Sequence, residues 1–195
     1  IMQKFQAVPP GFAREFWQKS MRAAEFSKEM GKYCGIAELD ELFVCGFLHN
    51  IGDIVIKQFF SDHWSRIHGE SPEPGKNVLR GEREHLGATH ADVGGFLFHI
   101  WKLPRPVIQS AMFHHQDFAL LLHTPNIVDE AFIVHMASTI CGLDPGIDAF
   151  RYTKALDIIG DQYRHRLKYP EKLDINQIMQ RVETTVTQLG QNSLN

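Results

Sequence analysis

Most of the marks of a catalytic, membrane or nucleic-acid-binding fold are missing from this chain. No basic stripe runs through its 195 residues and the net charge is −3, so nucleic acid held by phosphate neutralisation is not an expected partner. No apolar run approaches the roughly 20 residues a helix needs to span a bilayer, and no signal peptide is visible; no membrane partner is expected. The 3 cysteines, Cys34, Cys45 and Cys141, are far apart and form no CxxC pair. That spacing supports neither a zinc knuckle nor a redox motif, and points to reduced, buried thiols in a cytoplasmic protein. There is no G-x-S-x-G elbow, no cysteine beside a histidine, and no glycine-rich phosphate loop after a strand. No stretch alternates with period two between hairpin turns. The remaining fold class is all-α, with seven or so helices and no internal repeat.

Histidine is what the chain has in excess, at 11 residues, and several stand inside apolar segments. From Ala13 to Cys34 the positions Phe16, Ser20, Ala23, Ser27, Met30 and Cys34 recur at spacings of three and four, one buried helical stripe of small residues. Pro9-Pro10-Gly11 ahead of it reads as a breaker. A second, central helix is expected from Glu38 to Phe60, apolar on more than one side. Gly46 in it makes room for a close neighbour, and Gly52 bends or ends its first part. Gly69 to Gly81 is polar and rich in proline and glycine, a surface loop. Glu82 to Trp101 is expected as a helix with Leu86, His90, Val93, Leu97 and Ile100 inward. Pro104 and Pro106 suit the first turn of the next, whose face continues into His114 and His115. Glu130 to Cys141 follows with Ala131, Val134, Ser138 and Cys141 in line, then a helix around Thr153 to Arg166. The last is capped by Asp174 with Gln177 and ended by Gly190. One helical domain over 1–195 is expected, with its core in 13–142 and C-terminal helices in 150–190.

The organising stretch is Cys45 to Asp53, where His49 and Asn50 turn inward. Four helical segments aim His49, Asn50, His90, His114, His115 and Ser138 at one interior pocket. Histidines arriving from several helices are how helical proteins hold first-row metals. A dinuclear phosphohydrolase centre also needs carboxylates that bridge the ions and orient water. Asn50, Gln116 and Ser138 are neutral instead, and only Asp53, one turn after His49, stands nearby. Taken alone, a histidine on an apolar face is a core residue satisfied by a carbonyl; four together favour a shared polar pocket. His63, His68, His85, His99, His123, His135 and His165 follow no common spacing and read as surface or packing residues.

Trp17 to Ala24, Gly46-Phe47-Leu48-His49-Asn50-Ile51-Gly52, Glu84 to Gly94, Trp101-Lys102-Leu103-Pro104 and His114-His115 together resemble an HDOD domain. This family is a branch of the HD superfamily of metal-dependent phosphohydrolases, and is similar to the HD-GYP phosphodiesterases. The resemblance covers about Phe16 to Cys141 and implies a compact HD-type bundle. It places the superfamily's first histidine on Lys19, its His-Asp pair on His49 and Asn50, and its later aspartate on Ser138. The further histidines of the HD-GYP type fall on His90 and on His114-His115, with Gln116 in place of a glutamate and no GYP after it. Only His49 of the basic set survives, and a protonated Lys19 repels a cation. The resemblance therefore implies the fold together with loss of activity, no cofactor, and a vestigial pocket of Lys19, His49, Asn50, His90, His114, His115, Gln116 and Ser138. It implies a bacterial signal-transduction module acting on signalling protein partners or a small ligand, with the family's N-terminal helical half absent here. The alternatives are a residual phosphohydrolase for nucleotide or cyclic-dinucleotide phosphodiesters, holding a divalent transition metal on His49, His90, His114 and His115, and a structural oligomerisation domain, for instance a homodimer.

Overall fold

The small residues at the centre of the long first helix set the architecture. In the computed structural model this helix, α1, runs Pro10–Cys34. Against it lies α2, Leu39–Leu48, so closely that a Cβ on Gly46 would stand 2.7 Å from the carbonyl oxygen of Ala23 and 2.8 Å from Cα of Ala24. The structure describes residues 10–69, 76–143, 153–155, 157, 161, 163, 167–169, 171 and 173–192. Every regular element among them is helical. The order continues α3 (Ile51–Phe59), α4 (Ser61–Gly69), α5 (Lys76–Leu86), α6 (His90–Ile100), α7 (Arg105–Phe113), α8 (Phe118–His123), α9 (Asp129–Cys141) and α10 (Ile175–Asn192).

Helix α9 is the hub. It is buried almost all round, through Ala131, Phe132, Ile133, Val134, Met136, Ala137, Ile140 and Cys141. Helices α1, α2 and α7 pack on it, and α10 packs on α1. Phe26, Met30, Leu42, Phe98, Phe132, Ile140, Tyr163 and Ile178 share one continuous core. Cys45 and Cys141 are buried free thiols, and Cys34 is half-buried. Burial pushes the Cys45 thiol up to about 12, which keeps it protonated and inert.

Several boundaries differ from the sequence reading, and each difference places a site residue. The helix expected from Glu38 to Phe60 is two helices, broken at His49 and Asn50, with Asn50 at φ −103° and ψ 17°. The break lets α3 cross α6 where neither backbone has a side chain in the way: a Cβ on Gly52 would lie 1.9 Å from the carbonyl oxygen of His90. The helix expected from Glu82 to Trp101 is also two. It stops at Leu86, passes through Gly87 at φ 76°, and restarts at His90 behind a Thr89–Asp92 capping box. The cap explains the restart, because Thr89 and Asp92 satisfy each other's end groups. The loop expected to run to Gly81 is helical from Lys76; 70–75 fall outside the described residues. Helix α4 was not expected. Pro10 opens α1 rather than breaking the chain, and α10 passes Gly190. Asp174 does cap α10, accepting from the backbone N–H of Gln177 at 3.0 Å. Part of the helix expected over 153–166 lies outside the described residues.

Candidate functional site

The two broken helices bring their broken ends together. The turn between α2 and α3 carries His49 and Asn50, the first residue of α6 is His90, and the turn after α7 carries His114 and His115. Around them is a cavity of about 360 Å³, lined by Lys19 and Ser20 of α1, His49, Asn50, Asp53, His90, His115, and Ser138 and Thr139 of α9. The pocket expected from sequence therefore gathers Lys19, His49, Asn50, His90, His115 and Ser138. Two residues of the expected set do not line it. His114 is buried behind the wall, 1% exposed, because its ring is drawn against His90. Gln116 lies beyond the turn, where its carbonyl oxygen accepts from His135 Nε2 at 2.7 Å.

Hydrogen bonds to neighbouring groups fix the protons on the rings of His49, His114 and His90. His49 Nδ1 donates to the carbonyl oxygen of Gly46 at 2.6 Å. His114 Nδ1 donates to that of Ala111 at 2.8 Å, which leaves its Nε2 bare. His90 Nε2 lies 3.2 Å from that bare nitrogen, so it must supply the proton between them. On its other side His90 Nδ1 donates to both oxygens of Glu82 at 2.9 Å, and its backbone N–H donates to the same carboxylate at 2.9 Å. His90 thus holds two ring protons and is an imidazolium. Burial alone would lower its pKa, but Asp53, with Oδ1 3.6 Å from Nδ1, and then Glu82 outweigh burial and raise it. The other rings go the opposite way. Burial takes His49 down to about 4, and burial followed by the nearby His115 takes His114 well below the usual histidine range.

Glu82 is the residue the sequence reading missed. Its side chain is fully buried. The signal was a glutamate at helical spacing with Leu79 and Leu86, a charge on an apolar stripe that needs a partner. The second carboxylate, Asp53, accepts from Asn50 Nδ2 at 2.5 Å and is raised by burial. The view that carboxylates are missing where they matter is therefore corrected: two converge on His90, from α3 and α5. His135, read as packing, ties Tyr163 Oη to the Gln116 carbonyl oxygen.

Three positions where the resemblance puts metal ligands carry no anion. Lys19 Nζ is an ammonium paired with Glu15 at 2.7 Å. Asn50 is a neutral amide whose Nδ2 donates to Asp53, and Ser138 Oγ donates to the His114 carbonyl oxygen at 2.7 Å. None is an anion able to bridge two cations. The ring nitrogens of His90, His114 and His115 do lie within 4.8 Å of one another, as do the ligand atoms of Asp53, Glu82 and His90. The first group could hold one ion only if His90 gave up its Nε2 proton.

An all-helical bundle with a histidine-walled cavity at its broken helix ends is the class of domain defined here. The HDOD domain family model matches residues 1–117, and the chain belongs to the HDOD family. An uncharacterized protein of Treponema pallidum (strain Nichols) is 30% identical over 116 residues, 57% of this chain and 21% of that protein. Two solved structures share the fold. A "Putative phosphohydrolase" from Shewanella amazonensis SB2B superposes with a TM-score of 0.67 at 18% identity, over 92% of this chain and 62% of that one. An HDOD domain protein with unknown function from Geobacter sulfurreducens gives 0.61 at 17% identity, over 89% and 59%. The chain thus spans about a fifth of the curated relative and about three-fifths of the solved ones.

Proposed function

We propose that this chain is a non-catalytic regulatory module of a bacterial signalling pathway, working in the cytoplasm through partner proteins and through a small ligand in the cavity. The observation that carries the reading is the Glu82–His90–His114 hydrogen-bonded chain. It puts a fixed positive charge at the heart of the pocket, where a phosphohydrolase would keep a cation, and neutralises it from within the protein. Lys19 adds a second positive charge at the rim. A divalent ion would have to displace the shared proton and face that ammonium. None of the described helices is long and apolar enough to cross a membrane. The test is metal content by mass spectrometry after dialysis, with phosphodiester hydrolysis assayed on the same sample. A metal-free protein that leaves substrates intact is the expected result; stoichiometric transition metal with turnover would overturn it.

One observation favours a second reading, a residual metal-dependent phosphohydrolase. Glu82 stands behind His90 as the outer carboxylate of a metal-bound histidine does, orienting the ring and raising its basicity. His90, His114 and His115 would then share one ion. The same measurement separates the two readings. An oligomerisation role, such as a homodimer, is tested by solution mass.

A further inference from the structure

We propose that the outer face of α6 and α7 is the docking surface for a second copy of this chain, with the two α6 helices crossing antiparallel about a two-fold axis. The proposal is independent of what the cavity holds, because none of the residues it uses lines the cavity.

Helix α6 is apolar on nearly every side, through Val93, Phe96, Leu97, Phe98 and Ile100. A helix of that kind belongs inside a protein. Here only one side is inside, through Ala91, Gly94, Gly95 and Phe98. The other side leaves Phe96 66% and Ile100 57% exposed, with Trp101 at the helix end at 59% and Met112 of α7 at 40%. A Cβ on Gly95 would stand 2.0 Å from Met112 Cγ. Without one, the methionine lies across α6, and the two helices present one groove lined by Val93, Gly95, Phe96, Ile108 and Met112. Aromatic and methionine side chains are what the centres of protein interfaces favour.

Area and charge both point to a copy of the same chain. At about 200 Å² for each side chain when fully exposed, the four leave on the order of 450 Å² uncovered. Doubled across a two-fold axis, and with the groove walls added, that reaches the roughly 1,000 Å² a specific interface needs. A two-fold contact also requires a face that matches itself. Between Asp92 and Lys102 the chain has no aspartate, glutamate, lysine or arginine, so no like charges from α6 meet near the axis. The two ends carry opposite signs. Asp92 stands near the start of α6 and Lys102 just past its end, both exposed, roughly 15 Å apart at the helical rise. An antiparallel crossing sets Phe96 of one copy against Ile100 of the other and brings each Asp92 toward the other's Lys102. A parallel crossing would set like charges together, and only the antiparallel one opposes the helix dipoles.

The test is sedimentation equilibrium of the chain from about 1 to 200 μM. A monomer–dimer equilibrium with Kd on the order of 10 μM is expected, since an interface near this area is weak. Phe96→Glu should weaken it about tenfold or more while the thermal transition at low concentration is kept, because the residue stands on the surface. Lys102→Glu should weaken it several-fold, and added salt should weaken the native dimer. Leu120→Glu, at an exposed position on α8, should leave Kd unchanged. Should Phe96→Glu fail to fold, Ile100→Lys is read in its place. A chain that stays monomeric throughout overturns the proposal and leaves the face to a different partner. A dimer whose Kd is unmoved by the α6 variant, or that is lost in Leu120→Glu, overturns it as well.

Discussion

Replacing Glu82 by glutamine tests whether a buried ion pair stands where a metal site would be. The change keeps the side chain's shape and removes its charge. In the native protein the Glu82 carboxylate is fully buried and receives three contacts from His90 at 2.9 Å, two of them from an imidazolium nitrogen. Glutamine can still accept the backbone N–H, but it cannot offset the ring's charge, which leaves the ring with Asp53 at 3.6 Å and without its hydrogen-bonded anion. Breaking a buried pair on one side costs about 3–5 kcal/mol. In a chain of this length that is on the order of 10 °C in Tm. Glu183, whose pair with Arg22 spans the surface at 42% and 35% side-chain exposure, serves as the control; its loss should cost under about 1 kcal/mol.

The pH dependence carries more than the size. His90 is raised in the folded state above the value of about 6.5 it has unfolded. Stabilisation from its pairing is therefore complete below about 6.5 and fades as pH rises through the folded value. The cost of Glu82→Gln should be larger at pH 6 than at pH 9, read by urea denaturation at both. An equal cost at the two values, or a cost below about 1 kcal/mol, would refute the imidazolium assignment and the charge argument built on it.

Three further outcomes are expected. His49, held down to about 4 by burial, should titrate near that value by NMR; its stabilising effect is present above about 6.5 and lost as pH falls through 4, so stability peaks near neutrality, and a midpoint near 6.5 would contradict its burial. The combined change Asn50→Asp, Ser138→Asp and Lys19→His should create transition-metal affinity measurable by competition with a chelator, because it restores anions and removes a cation around His49; no gain would refute the placement of these positions. Gly52→Ala should abolish stable folding, since its Cβ would meet the His90 carbonyl oxygen at 1.9 Å, whereas Gly87→Ala, at φ 76° with nothing within 4 Å, should cost only about 1 kcal/mol; circular dichroism and thermal melts compare them.

How far the site was legible depends on what kind of signal each residue gave. His49, Asn50, His90, His115 and Ser138 were visible because polar groups stood on apolar stripes, and helical periodicity alone carries them to one interior. The same periodicity ran across the breaks at Asn50 and Gly87, because a helix interrupted by one turn resumes with nearly the same buried residues. Only the Thr89–Asp92 capping pair announced the restart at His90. Glu82 was invisible for a related reason. Its helix was joined in the sequence reading to α6, which assigned it to a first turn where a glutamate is ordinary. Once α5 is a separate helix ending at Leu86, the same glutamate falls in its last turns, on the inward face, where a carboxylate is costly unless a cation meets it. The partner is the histidine that opens the next helix, eight residues on. The chemistry of the pocket thus turns on a backbone boundary: with one long helix His90 is an unassigned ligand, and with two it is a charge already matched.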